Sequence, residues 1–335
     1  MITRVLHIVP ATSKGVIPPF VERQIGNMAD LGYEPALVQF RGDYISHNPR
    51  ALASEVSTIR QEIRRWRPHL VHAHWGSLLA ATAGLATRPR TPFIVTFRGS
   101  DLNPVVTEKT SRYLMRNALS QFAAVRASKI VCVSDQLRDR IRVHQGDVQV
   151  IPDGLDMRLF FPRDRERARH ELGWTGSGPT IFLYQGDRPV EKGRPLADAA
   201  IAYLHSHGVE CRLKTLDTDA TRGEVALMLN ASDCVLMLSD FEGSPNIVRE
   251  SVACGVPVVS VEVGDVARWL TVGTGSLIVE RSPAAVAAGI KQVIRNARPS
   301  PVQATLESMS EASTARNLAR VYELALAKSG RSVAE

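Results

Sequence analysis

Short apolar, β-branched runs alternate with longer helix-like segments from the first residues almost to the last, and this alternation limits the fold more than any other feature. Val5-Leu6-His7-Ile8-Val9 leads into a helical pattern from Phe20 to Leu31. Ala36–Phe40, Leu70–Ala73, Phe93–Phe97, Ile130–Ser134 and Val148–Ile151 follow, each separated from the last by enough chain for a crossover helix. Parallel pairing is the economical result. The pattern pauses between Pro152-Asp153-Gly154 and Thr175-Gly176-Ser177-Gly178-Pro179, where Pro, Gly and Arg gather. It then restarts with Thr180–Gln185, Cys211–Leu216, Cys234–Leu238, Val256–Val261 and Leu277–Val279. A last helical pattern, Met309 to Ala327, has no strand after it and is free to dock elsewhere. The expectation is an α/β protein with two Rossmann-like domains of parallel sheet, 1–160 and 161–307, with a cleft between them, followed by a C-terminal helical segment, 308–335.

Composition narrows the classes. At 335 residues the chain exceeds one ordinary core, and 44% hydrophobic with 22% charged residues suits neither long disorder nor a fibre. Cys132, Cys211, Cys234 and Cys254 are scattered without C-x-x-C spacing, which reads as buried free thiols in a reducing compartment. The first residues show no export signal, and no run is long enough for a membrane span, so a cytoplasmic protein is expected. Charge is uneven: residues 1–160 hold 21 Lys+Arg against 13 Asp+Glu, an excess of eight, while 161–335 hold 20 against 21. A basic first half can meet a phosphorylated ligand or an anionic membrane surface. Arg60, Arg64, Arg65 and Arg67 at one predicted helix end read equally as a solvated face.

The densest motif is Leu238-Ser-Asp-Phe-Glu242-Gly243-Ser244-Pro245-Asn246-Ile247-Val-Arg-Glu250-Ser-Val-Ala-Cys-Gly255-Val-Pro257. An apolar strand ends, a Gly-Ser-Pro loop opens, and a helix begins near Pro245, a residue suited to a first helical position because it has no N–H to leave unbonded. A helix N-terminus offers free N–H groups and partial positive charge, a site for a diphosphate. Glu250, two turns along, can accept from a pair of sugar hydroxyls. Taken alone, the two glutamates are better explained by a helix cap and a solvated face. Upstream, Gly186-Asp187-Arg188-Pro-Val-Glu191-Lys192-Gly193 is a glycine-opened loop at a strand end whose two cations can offset charge growing on a leaving diphosphate.

The first of these segments resembles the E-x7-E signature of retaining glycosyltransferases of family 4, and the resemblance implies the GT-B architecture: two Rossmann lobes with parallel sheets facing across a cleft, and the C-terminal helix of 308–335 packing back on the first. Glu242-Gly243, Glu250, Ala253-Cys254-Gly255 and Pro257-Val-Val259 match that pattern in place. The resemblance implies that Glu242 meets the donor sugar and Glu250 the nucleotide ribose, with Gly186, Gly243, Ser244, Asn246 and Ile247 completing the donor site. The Gly186–Gly193 loop resembles the family's G-R-L-x-x-E-K-G, which gives Lys192 the donor diphosphate. The family's Arg is replaced by Asp187, so its role moves to the next residue, Arg188. In the first half, Leu70-Val-His72-Ala-His74 resembles the family's strand-end histidine segment, and His74 joins Lys192, Arg188 and Glu242 as a catalytic candidate. Thr96-Phe97-Arg98-Gly99-Ser100-Asp101 resembles T-x-H-G-x-D with Arg98 in place of the His. Gly15, in a glycine loop after the first strand, completes the acceptor and cleft set with Arg98 and Asp101. Ile151-Pro-Asp-Gly154 resembles the family's interdomain junction, and Gly264-Asp265 its loop near the donor.

No metal and no cofactor are expected. His72-Ala-His74 lacks a third ligand at usable spacing. Asp217-Thr218-Asp219 has the D-x-D form that grips a divalent ion in another transferase architecture, but it lies away from the donor motifs and reads as a turn and helix cap. Together these readings imply a metal-independent, retaining hexosyltransferase. It would use a nucleotide-sugar and a glycan or lipid-linked acceptor, with peripheral contact to anionic membrane and no nucleic acid. A sugar-nucleotide 2-epimerase and a silent nucleotide-sugar-binding subunit are the alternatives. A Rossmann oxidoreductase is disfavoured because no G-x-G-x-x-G follows the first strand.

Overall fold

A computed structural model of the chain describes residues 2–11, 17–40, 49–104, 108–142, 148–216, 220–271, 273–301 and 303–328. The chain divides into two compact units. One holds Met1–Gly154 together with Glu311–Glu335, and the other is Leu155–Ser310.

The first unit is built on six strands: β1 (Thr3–Pro10), β2 (Tyr33–Phe40), β3 (Leu70–Ala73), β4 (Phe93–Phe97), β5 (Lys129–Cys132) and β6 (Val148–Val150). They pair in parallel in the order β2-β1-β3-β4-β5-β6. Between them run helices α1 (Pro19–Asp30), α2 (Pro49–Trp66), α3 (Ser77–Ala86), α4 (Thr110–Arg126) and the one-turn α5 (Asp135–Arg138). β3 and β4 are buried along their whole length, as continuous apolar strands covered on both faces must be.

The second unit begins with α6 (Arg165–Glu171) and carries β7 (Thr180–Tyr184), α7 (Arg194–Ser206), β8 (Arg212–Leu216), α8 (Arg222–Ala231), β9 (Cys234–Met237), α9 (Asn246–Ala253), β10 (Val258–Ser260), α10 (Val266–Trp269), β11 (Leu277–Ile278), α11 (Pro283–Val293) and α12 (Gln303–Met309). Its strands are again all parallel, in the order β11-β10-β9-β7-β8. Leu155 and Phe160, just after the interdomain glycine, already belong to this unit's core.

The final helix, α13 (Glu311–Lys328), returns to the first unit. Its buried Ala315, Leu318, Val321, Tyr322 and Ala325 join Val5, Met28, Tyr33, Leu70 and Ile94 in one cluster, and Arg23 of α1 meets Glu311 at 2.7 Å. The four cysteines are free and buried, and burial holds the Cys234 and Cys254 thiols up at about 12. Among the described residues, no helix is long and apolar enough to cross a membrane.

Candidate functional site

In an open parallel sheet, a crevice forms where successive connections leave one strand toward opposite sides, and ligands bind there at the strands' C-terminal ends. In the second sheet this switch lies between β7 and β9, because the chain runs from β7 out to β8 and then back across to β9. The loops leaving these two strands, 185–193 and 238–245, are the two donor motifs of the sequence.

The loops pack directly on each other. The Asp240 N–H donates to the Glu191 carbonyl at 2.9 Å. Gly193, at φ +80°, passes so close to Leu238 that a β-carbon would collide with its carbonyl and side chain. This close approach puts Lys192 Nζ 2.6 Å from Glu242 Oε1. Both side chains stay partly open, at 27% and 16% exposure, so each can be reached from solvent.

Beyond Glu242 the Gly-Ser-Pro loop turns into α9. Pro245 occupies the N-cap, one place before the first helical residue, and no side chain caps the helix there. Ser244 donates to Asp265 Oδ2 at 2.8 Å, and the same oxygen accepts from the Trp269 indole at 2.9 Å. Gly264, at φ +59°, lies against the Gly243 carbonyl, so the loop after β10 braces the loop after β9. Burial raises the Asp265 carboxyl, while Ser244 and Trp269 pull it back down. Asn246 opens α9 and bonds the Arg249 guanidinium, which is fully buried over the Trp269 ring. Ile247 packs on the core, and Glu250 pairs with Arg222 of α8 at 3.3 Å. Tyr184, at the end of β7 beside Gly186, has its phenol pushed up by burial and by the nearby Glu250 and Asp187 carboxylates.

Lys192, Glu242, Gly243, Ser244, Asn246 and Glu250 therefore gather around one switch point. Arg188 contributes differently: it points to Glu191 at 3.3 Å and Asp187 at 3.6 Å, two acids of its own loop. Sequence reasoning missed Arg222 and Arg281, the latter bonding the Leu238 carbonyl at 2.9 Å and pairing with Asp240. Neither belongs to a local motif, and only the fold carries them to the β9 end.

The first sheet has its own switch between β1 and β3. Gly15 lies outside the described residues, as do Asp217, Thr218 and Asp219. His74, Arg98 and Asp101 are placed in the interior rather than on a surface open to an acceptor. Asp101 is fully buried and accepts from the backbone N–H groups of Gly76, Arg98 and Gly99 at 2.8–3.0 Å, tying the loops after β3 and β4 together. The Arg98 side chain is 2% exposed, and its partners lie on its terminal nitrogens. It pairs with Asp153, donates to Gln24 Oε1 at 2.9 Å, faces His74 Nδ1 at 3.5 Å and lies over the Phe20 ring.

His7 of β1 supplies a third imidazole that spacing could not reveal, because it lies opposite His72 in the β1–β3 register. The ligand nitrogens of His7, His72 and His74 lie within 4.8 Å of one another, a group that could hold a metal ion. Hydrogen bonds account for all but one of these nitrogens: His72 engages Tyr322 and Thr96 at 2.7 Å each, and His7 Nδ1 meets His74 Nε2 at 2.9 Å, while His7 Nε2 is buried with no hydrogen-bond partner among the described residues. With Arg98 donating to His74 Nδ1, His74 carries its proton on Nε2 and donates to His7. A metal would have to displace the partners of His72 beside a guanidinium, so the residues fit a neutral hydrogen-bonded chain better than a cation site. Burial holds all three imidazoles neutral, with His7 lowered to about 3.

Two Rossmann-like units, with a cation–carboxylate pair and a helix N-terminus at the switch point of the second, define the GT-B class. The chain belongs to glycosyltransferase family 4: residues 20–159 match the model Glycosyltransferase Family 4, and residues 182–296 match that of Glycosyl transferases group 1. It is similar to N-acetyl-alpha-D-glucosaminyl L-malate synthase of Bacillus anthracis, 24% identical over 69% of this chain and 65% of that protein. It is also similar to a GDP-mannose-dependent alpha-(1-6)-phosphatidylinositol dimannoside mannosyltransferase of Mycobacterium tuberculosis, 23% identical over 77% and 71%. The chain spans about 65% of the length of the first of these curated relatives. Among solved structures, HepE of Anabaena in complex with UDP and glucose shares the fold at TM-score 0.66 and 15% identity, covering 96% of this chain and 99% of that one.

Proposed function

We propose that the chain transfers a hexose-type sugar from a nucleotide-sugar to a glycan or lipid-linked acceptor, with retention of anomeric configuration and without a metal, in bacterial-type polysaccharide or glycoconjugate synthesis. The observation that carries this reading is the Lys192–Glu242 pair at the mouth of α9. An ammonium group and the free N–H groups of a helix start are together suited to a diphosphate. Glu250 would accept from the ribose hydroxyls, displacing its contact with Arg222, and Glu242 from a donor-sugar hydroxyl. The UDP bound in the Anabaena neighbour supports a nucleotide-sugar as donor. The lipid named in the mycobacterial relative supports a lipid-linked acceptor.

With both carboxylates engaged in binding, the reaction runs by front-face attack. The bond from the anomeric carbon to the diphosphate oxygen breaks, and a bond to the acceptor oxygen forms on the same face. The acceptor's proton goes to the departing phosphate oxygen. Lys192 and the start of α9 hold the charge that develops on the leaving group, and Arg188 adds to the field from the loop edge. His74, Arg98 and Asp101 position the first unit's loops rather than touching the reacting atoms.

The direct test is thermal denaturation of the full chain against a set of UDP- and GDP-sugars, followed by product analysis. A true donor at about 100 times its Kd adds about 2.7 kcal/mol of stability. Proton NMR of the product then reads the anomeric configuration. Conversion of the donor into an epimer with no acceptor present would replace this reading with an isomerase.

A further inference from the structure

The donor loop after β7 brings almost no net charge to its site. Asp187 and Glu191 offset Arg188 and Lys192, and Arg188 turns toward those two acids. Glu242 lies against Lys192, and Arg222 is held by Glu250. The start of α9 supplies only about half a positive charge. A diphosphate is multiply charged and gains further charge as it leaves, so a second cation within reach strengthens such a site.

Arg281 reaches this place from the loop after β11. In the sheet order β11-β10-β9, its side chain spans the end of β10 to meet the loop after β9. Both terminal nitrogens donate to the Leu238 carbonyl, at 2.9 and 3.0 Å, and one also pairs with Asp240. Gly193 packs against that same carbonyl, so a single backbone group joins Arg281 to the turn that presents Lys192. The Asp240 N–H in turn donates to the Glu191 carbonyl at 2.9 Å. Arg281 therefore stands at the junction of the two donor loops. Its side chain is 39% exposed and that of Asp240 33%, and an ion pair so open to water is weakly held. A phosphate, which accepts two parallel N–H bonds from a guanidinium, is a stronger partner.

We infer that Arg281 is a second cation of the donor site, resting on Asp240 when the site is empty and donating to the terminal phosphate of a nucleoside diphosphate when it is filled. That phosphate carries the oxygen whose bond to the sugar breaks, so Arg281 joins Lys192 where charge develops. The inference rests on the proposed donor site, and it makes Asp240 a competitor for the guanidinium rather than a support for the loop. A clamp that only ties the loops together has the opposite signature, because loss of either partner would then weaken the site.

The experiment is calorimetric titration of the full chain with UDP, GDP, UMP and GMP. With the base that the wild type accepts, the diphosphate is expected to bind more tightly than the monophosphate. Arg281→Gln is expected to reduce that preference by about tenfold or more, the scale of losing one hydrogen bond between charged groups, with monophosphate affinity little changed. Arg281→Lys keeps a positive charge and is expected to recover part of the preference. Asp240→Asn, which keeps the backbone N–H on Glu191, is expected to tighten diphosphate binding. The altered side chains are partly open to solvent, so the ligand-free variants are expected to melt near the wild-type temperature. An undiminished diphosphate preference in Arg281→Gln would overturn the inference and leave the donor site standing. So would weaker diphosphate binding in Asp240→Asn. Absence of wild-type binding to any of these nucleotides would remove the donor site itself, and the inference with it.

Discussion

Arg98 shows how a residue in a family motif can exchange one role for another. The resemblance places a histidine there and implies a residue lining the cleft, and the guanidinium instead is buried between Asp153, Gln24, His74 and Phe20. Removing one member of a buried pair leaves an uncompensated charge, so Asp153→Ala is expected to lower stability by about 3–5 kcal/mol. Urea unfolding measures this, and a loss below about 1 kcal/mol would mean the pair is solvated. The histidine chain behind it sets an acid limit. His7 titrates at its ordinary 6.5 when unfolded and at about 3 when folded, so the unfolded chain binds the extra proton between those values. Its contribution is complete above pH 6.5 and is lost as pH falls toward 3. Asp101 and Asp265, whose carboxyls burial raises, act in the opposite sense, so the informative quantity is a difference between variants. Relative to wild type, His7→Gln is expected to flatten stability against pH by about 1.4 kcal/mol per pH unit in that window. An unchanged slope would place the proton elsewhere.

At the scale of elements, most of the fold was legible because parallel strands buried on both faces leave unbroken apolar runs. β3 and β4 have the bounds that the sequence suggests, and the remaining strands differ by a few residues at their ends, where side chains emerge and the pattern fades. The donor loops were legible for a related reason: each needs particular residues at a strand end, and Gly193 shows why. Its backbone lies against Leu238 at a positive φ. Gly193→Ala is expected to lower stability by about 1–3 kcal/mol and to weaken donor binding as Lys192 shifts away from Glu242. Calorimetric unfolding and donor titration of the same variant check both effects, and normal donor affinity would separate the turn from the site. What the sequence concealed are contacts set by strand order rather than by spacing, such as His7 beside His72, Arg222 beside Glu250, and Arg281 on Leu238.

For the whole molecule, the two units divide the chemistry and the charge. The basic excess lies in the first 160 residues, while the near-neutral remainder carries the loops at the β7–β9 switch. The central claim is that those loops hold a diphosphate leaving group, with Lys192 as the cation that stabilises its departure. The measurement that reaches it most directly is nucleoside diphosphate release from a cognate nucleotide-sugar by wild type and by Lys192→Ala, at saturating donor with acceptor present. Loss of one preorganised charge contact is expected to lower turnover by about 100-fold or more with the fold intact. Near-normal turnover in that variant would contradict the assignment.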